Sequence, residues 1–232
     1  MKKFITDTLF ISVGGMLTKA KGLLFLPLII ASVGLDKYGA FVQIYFTVKL
    51  LVPFCTLGLG LGFQRFASAY SSKDKVELGS HFYSILIPTL AFSAIGAFLL
   101  FLASPLINGW FLEGENLDSL QIACFMVFSN TCYTNINKFL LASKKFKMYS
   151  VLQFVYDFIP YLGFVAGVAF YDTIYMGMLF YTLADIAVAL GFFLYIAKDV
   201  VFTLPSKAIF RQYIKYSYPI AISEIEGGLL GK

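Results

Sequence analysis

An all-α, polytopic bundle of membrane-spanning helices, six spans plus the start of a seventh with the N-terminus cytoplasmic, is the fold this sequence predicts. Three observations carry it: few charges, apolar runs long enough to cross a bilayer, and basic residues confined to alternate connections. Of 232 residues, 59% are hydrophobic and 13% charged, against roughly 25% charged in a soluble domain. So few charges cannot clothe an aqueous surface. The apolar runs repeatedly approach the ~20 residues needed to cross about 30 Å of hydrocarbon. They are continuous rather than alternating with period two, and a bilayer requires every backbone polar group to be satisfied internally, so helices are expected rather than a β-barrel.

Apolar runs between polar punctuation place the spans at Leu9–Val33, Tyr38–Phe63, Phe82–Ile107, Leu120–Ala142, Val151–Phe170 and Thr173–Ala197. Orientation follows from lysine and arginine, which keep short loops on the cytoplasmic side during insertion. Lys2 and Lys3 precede the first span, Arg65, Lys73 and Lys75 follow the second, Lys144, Lys145 and Lys147 follow the fourth, and Lys198, Lys207, Arg211 and Lys215 follow the sixth. The opposite connections hold only Lys37, and the third-to-fourth one is acidic at Glu113, Glu115 and Asp118. This alternation independently supports an even number of spans before Lys198. A cleaved signal peptide is not expected, because Asp7, Lys19 and Lys21 interrupt the first run and further spans follow.

After Lys215 a new apolar run, Tyr216 to Leu230, meets the end of the sequence too early for a comfortable crossing. Gly14 to Lys19 and Gly227 to Lys232 match at four of six positions. Together these suggest a six-helix lobe over residues 1–206, with the truncated seventh helix of a second copy opening at 207–232.

The net charge of +5 comes from the cytoplasmic connections, so nucleic acid is not an expected partner. Cys55, Cys124 and Cys132 lie inside apolar runs without metal-ligand spacing and read as small buried residues. His81, the sole histidine, sits at a cytoplasmic boundary and is expected to be solvated or to cap a helix rather than bind metal. Gly58, Gly60 and Gly62 superficially resemble a nucleotide loop but follow no strand, so close helix packing is expected there. Pro27, Pro53, Pro88 and Pro160 permit kinks within spans. Neither cofactor nor metal is implied.

The chemistry lies in charges placed inside spans, each costing at least ~2.5 to 3.5 kcal/mol on insertion scales and therefore expected to face a wet cavity or a partner. Lys19 and Lys21 fall in the first span, Lys49 in the second, Asp157 in the fifth and Asp185 in the sixth. At ~100° per residue Lys19 and Lys21 point about 160° apart, so one helix cannot aim both at one cavity, and one of them is free to pair with Asp157 or Asp185. The excess of lysine favours a cationic cavity for an anionic substrate, above all a phosphate or pyrophosphate. The alternative is that all five charges form ion pairs that lock helices together. Asn130, Thr134, Asn137 and Lys138 share one face of the fourth span. That stripe suits sugar hydroxyls or, equally, interhelical hydrogen bonds, with Lys138 snorkelling to the interface.

Several segments resemble the bacterial polysaccharide flippases of the multidrug/oligosaccharidyl-lipid/polysaccharide exporter superfamily. Leu26-Pro27-Leu28-Ile29-Ile30 with Val33-Gly34-Leu35-Asp36-Lys37-Tyr38-Gly39 is similar to the family's first-to-second helix junction, and Leu57 to Ser68 to its glycine-rich second-helix exit. Leu141 to Tyr149 and Tyr216 to Ser223 resemble the fourth-to-fifth junction and the seventh-helix entrance. The resemblance implies two six-helix lobes, alternating access, and export of undecaprenyl-pyrophosphate-linked oligosaccharide across the bacterial inner membrane in O-antigen or capsule (lipopolysaccharide-type) polysaccharide biosynthesis. On it, Lys19 or Lys21 with Lys49 would bind the pyrophosphate, Asn130, Thr134 and Asn137 the sugar, and Asp157 or Asp185 would ion-pair or respond to a coupling ion. Expected partners are the lipid-linked oligosaccharide, membrane lipids and other polysaccharide-assembly membrane proteins. No covalent chemistry is required, so the chain is not expected to be an enzyme. The alternatives are a drug or cation exporter of the same superfamily, a membrane-embedded glycosyl- or phosphotransferase, and a non-transporting membrane subunit.

Overall fold

The computed structural model describes residues 27, 29–31, 33–67, 74–112 and 114–229, the stretch 220–229 by backbone alone. The first expected span therefore falls outside the described residues except for helical positions 27, 29–31 and 33, and Lys2, Lys3, Lys19, Lys21 and the two segments of the internal echo fall outside it or lie where no side chain is described. The rest is helical, with no strand among the described residues. We number the helices α1 (Leu35–Thr56), α2 (Leu59–Ala67), α3 (Lys75–Phe111), α4 (Leu117–Ala123), α5 (Phe125–Ala142), α6 (Phe146–Tyr171), α7 (Ile174–Ala197) and α8 (Lys207–Leu229). Among them α1, α3, α6 and α7 are long and apolar enough to cross a membrane. The chain is an all-α membrane bundle.

Local chemistry explains most boundaries. Gly34 at φ 85 closes the preceding helical turn, its N–H reaching Ile30 O at 2.9 Å, a backbone setting that a side chain would strain. Asp74 caps α3, its Oδ1 accepting from the Val76 and Glu77 N–H groups at 3.1 and 3.0 Å. Asp172 at φ 55 ends α6, and Thr173 Oγ1 accepts from the Met176 N–H at 3.3 Å to start α7. The α6–α7 hairpin thus turns on two residues.

Two expected spans are each divided. The run Tyr38–Phe63 breaks at Leu57 and Gly58, both left-handed at φ 50 and 64, so α1 and α2 are separate helices. The last turn of α1 closes before the break, the Pro53 carbonyl accepting from the Leu57 N–H at 2.9 Å. The run Leu120–Ala142 divides at Cys124, which keeps helical dihedrals while the hydrogen-bond ladder slips, its N–H shared between Leu120 O and Gln121 O. The polar residues of α5 keep it out of the set of strongly apolar spans. The last helix starts at Lys207, nine residues before the apolar run that opens at Tyr216, because Ile209, Phe210, Tyr213 and Ile214 give its first turns an apolar face that packs on the bundle.

The described connections sort by charge into two ends. Lys37, Glu115, Asn116 and Ile174 border one common cavity of about 750 Å³, and Lys37 pairs with Asp172 there. At the opposite end Lys145 pairs with Asp199, and the Lys75 ammonium donates to Lys198 O at 3.2 Å. Alternate connections therefore do meet at opposite ends, one basic and one acidic. His81 corrects the reading of a solvated or capping residue: it is 5% exposed and its Nδ1 lies 2.9 Å from the Tyr213 hydroxyl of α8. Gly60 and Gly62 behave as expected of packing residues, with Lys138 methylenes over Gly60 and Tyr213 and Ser217 over Gly62, whereas Gly58 takes φ 64 in the break between α1 and α2.

Candidate functional site

Among the described residues the apolar interior forms two clusters, with polar groups where they meet on α5, α6 and α7. On α5 the change of cluster falls between Val127 and Cys132, where Ser129 and Asn130 sit; on α6 it falls between Leu152 and Phe164, where Tyr156 and Asp157 sit. On α7 it falls between Tyr181 and Ala189, around Asp185. Three neighbouring helices thus carry polar groups at one level of the bundle, joined there by Lys49 from α1. In hydrocarbon such groups persist only when they satisfy one another or meet water.

Asn130 is the hinge of this layer. It is 1% exposed. Its Oδ1 accepts a hydrogen bond from the Lys49 ammonium, while its Nδ2 donates to Met126 O at 2.7 Å and to Asp185 Oδ2 at 3.2 Å. Two acceptors on the Nδ2 side fix the amide orientation, since the flipped amide would set an oxygen against a carbonyl and a carboxylate. Lys49 and Asp185 are therefore linked through an amide. The Ser129 hydroxyl also donates to Asp185 Oδ2, and the Tyr156 hydroxyl lies beside the carboxylate. Neither Asp185 Oδ1 nor the Tyr156 hydroxyl completes a hydrogen bond among the described residues, although both are closed to solvent.

Tyrosines surround the ammonium. The Lys49 Nζ lies 5.2 Å from the Tyr45 ring centre and 5.5 Å from that of Tyr156, within cation–π range. Tyr133 stacks flat on Tyr156 with centres 3.6 Å apart, and Tyr45, Tyr161 and Tyr181 pack mutually at 5.6 to 6.3 Å. Such rings offer both apolar faces and hydroxyls, the combination that suits a pyranose. Lys49 is half-buried, with Tyr45, Tyr133 and Tyr161 also partly open.

The sequence-derived residues divide accordingly. Lys49, Asn130 and Asp185 come together, Asp157 lies in the same layer, and Lys19 and Lys21 lie outside the described residues. Thr134 and Asn137 point their bonds inward along α5, Thr134 to Asn130 O at 2.9 Å and Asn137 to the Tyr133 hydroxyl at 3.3 Å. Thr134 and Lys138 also border a groove of about 220 Å³ with Pro53, Thr56 and Gly60. Ser129 and the tyrosines were not anticipated. A signal was present: Tyr45, Tyr161 and Tyr181 each stand four residues from Lys49, Asp157 and Asp185, on the same helix face.

Among the described residues no group of His, Cys, Asp and Glu is arranged to hold a metal. Compared with known proteins, residues 4–231 match the model of a family described as "Polysaccharide biosynthesis protein". Comparison with curated proteins and with solved structures gives no significant match.

Proposed function

Because this chain belongs to the polysaccharide biosynthesis protein family, we propose that it moves a lipid-linked oligosaccharide, with undecaprenyl pyrophosphate as the carrier, from the cytoplasmic to the outer leaflet of a bacterial inner membrane. The observation that carries this reading is the Lys49 layer: a half-buried ammonium, held by Asn130 and faced by Tyr45 and Tyr156, at the level where the two apolar clusters meet on α5, α6 and α7. An ammonium serves a phosphate-bearing headgroup as a point charge, and the tyrosine rings beside it serve the sugar. Lys19 or Lys21 would add to the positive charge, and Asp157 and Asp185 are assigned to ion pairing or to coupling. Asn130 acts by holding Lys49, with Thr134 and Asn137 contributing to the polar face. The basic end faces the cytoplasm. The protein does this by translocation, without making or breaking covalent bonds.

The test is transport of lipid-linked oligosaccharide by the whole protein, in cells or reconstituted vesicles, with Lys49→Ala. Loss of a charge-assisted contact predicts a fall of about tenfold or more. Undiminished flipping at equal expression would reject the assignment.

A further inference from the structure

The strap of residues 198–206 between α7 and α8 is fastened on one side and bare on the other. Its inner side is tied to α3: the Val201 N–H donates to Lys75 O at 3.1 Å and the Ser206 N–H to Ser84 Oγ at 2.8 Å. The Phe202 ring meets Tyr83 edge-on at 4.9 Å, and the Val201 carbonyl occupies the place where a side chain at Gly79 would begin. Yet Val201, Phe202 and Leu204 remain 45%, 64% and 80% exposed.

Non-helical backbone is excluded from lipid-exposed hydrocarbon, and bare Phe and Leu side chains gain nothing in water. The boundary between the two suits both, with backbone solvated and side chains dipped into the acyl region. Charge points to the same place. Lys198 opens the strap, and Lys207, Arg211 and Lys215 follow it at four-residue spacing, all exposed. They lie roughly 160° to 240° around α8 from the buried Tyr213, so this stripe faces away from the bundle. None of the three makes a hydrogen bond or ion pair among the described residues. The nearby Asp199 is engaged by Lys145 and Asp74 by the α3 N-terminus, so neither neutralises the stripe.

We propose that the strap and the basic stripe of α8 form an interfacial seat for anionic phospholipid. Phe202 and Leu204 sink to the acyl boundary while Lys207, Arg211 and Lys215 hold the headgroup phosphates. The seat is separate from the Lys49 layer and does not depend on what the protein transports.

The full chain carrying Leu204→Cys, labelled with a small environment-sensitive fluorophore, tests it, since the native thiols Cys55, Cys124 and Cys132 are buried. The protein is placed in phosphatidylcholine vesicles containing phosphatidylglycerol, with bromine quenchers on one lipid or the other. Both brominated lipids should quench, and brominated phosphatidylglycerol several-fold more at low salt, a preference lost on raising ionic strength. Adding K207Q, R211Q and K215Q should bring the two lipids to parity while leaving quenching by phosphatidylcholine and the elution profile unchanged. Equal quenching before those substitutions, or an undiminished preference after them, overturns the proposal. Absence of quenching by either lipid does so as well, because the strap would then be covered by protein.

Discussion

At Gly79 a single hydrogen lets the strap lie against α3, because a methyl group would run into the Val201 carbonyl. Gly79→Ala should therefore cost about 1–3 kcal/mol through overpacking, read as a lower unfolding temperature in detergent. The Lys49–Asn130–Asp185 link makes a different prediction. If the amide joins the two charges, Asn130→Leu and Lys49→Met should couple by about 0.5–3 kcal/mol in a double-mutant cycle of stability, whereas additive effects would show that Lys49 stands independently. The sequence pointed to all three residues because charges and amides in apolar runs are conspicuous. It did not point to Ser129 or the tyrosines, whose residue types are ordinary in membrane helices and gain meaning only from spacing relative to a charge. The misplacement of His81 has the same origin: its partner Tyr213 is 132 residues away, and no local pattern announces such a pair.

Among the elements, the α6–α7 hairpin is the most tightly joined. A Cβ at Gly167 would come within 2.5 Å of Met176 O, one at Gly163 within 2.9 Å of Phe180 O, and one at Gly177 within 2.6 Å of Val168. Small residues let membrane helices approach this closely, where packing replaces the hydrophobic effect as the driving force. Gly167→Val should separate the pair, lowering the yield of monodisperse protein, while Gly191→Ala, with open space around it, should leave that yield unchanged. Hydropathy located these two spans well because apolar runs and a two-residue connection leave little choice. It missed the divisions at Leu57–Gly58 and Cys124, since both lie inside uninterrupted apolar stretches and arise from backbone conformation, not from polarity.

For the whole molecule, the sorting of charge into two ends predicts topology. An impermeant maleimide applied to intact cells should modify Glu115→Cys and spare Lys144→Cys until the membrane is opened, both positions being exposed at opposite ends; the reverse pattern would invert the orientation. The same view gives meaning to the break after α1. The short helix α2 packs on α5 and α8 and, through Arg65, reaches the Tyr216 hydroxyl at 3.1 Å and its ring centre at 4.7 Å. Two left-handed residues thus let the lower part of what reads as one span take a direction of its own and lean on both α5 and α8. Lys49 stays on the α1 side of that break, so a change in how α2 is seated would alter the floor beneath the polar layer while its ammonium kept its place.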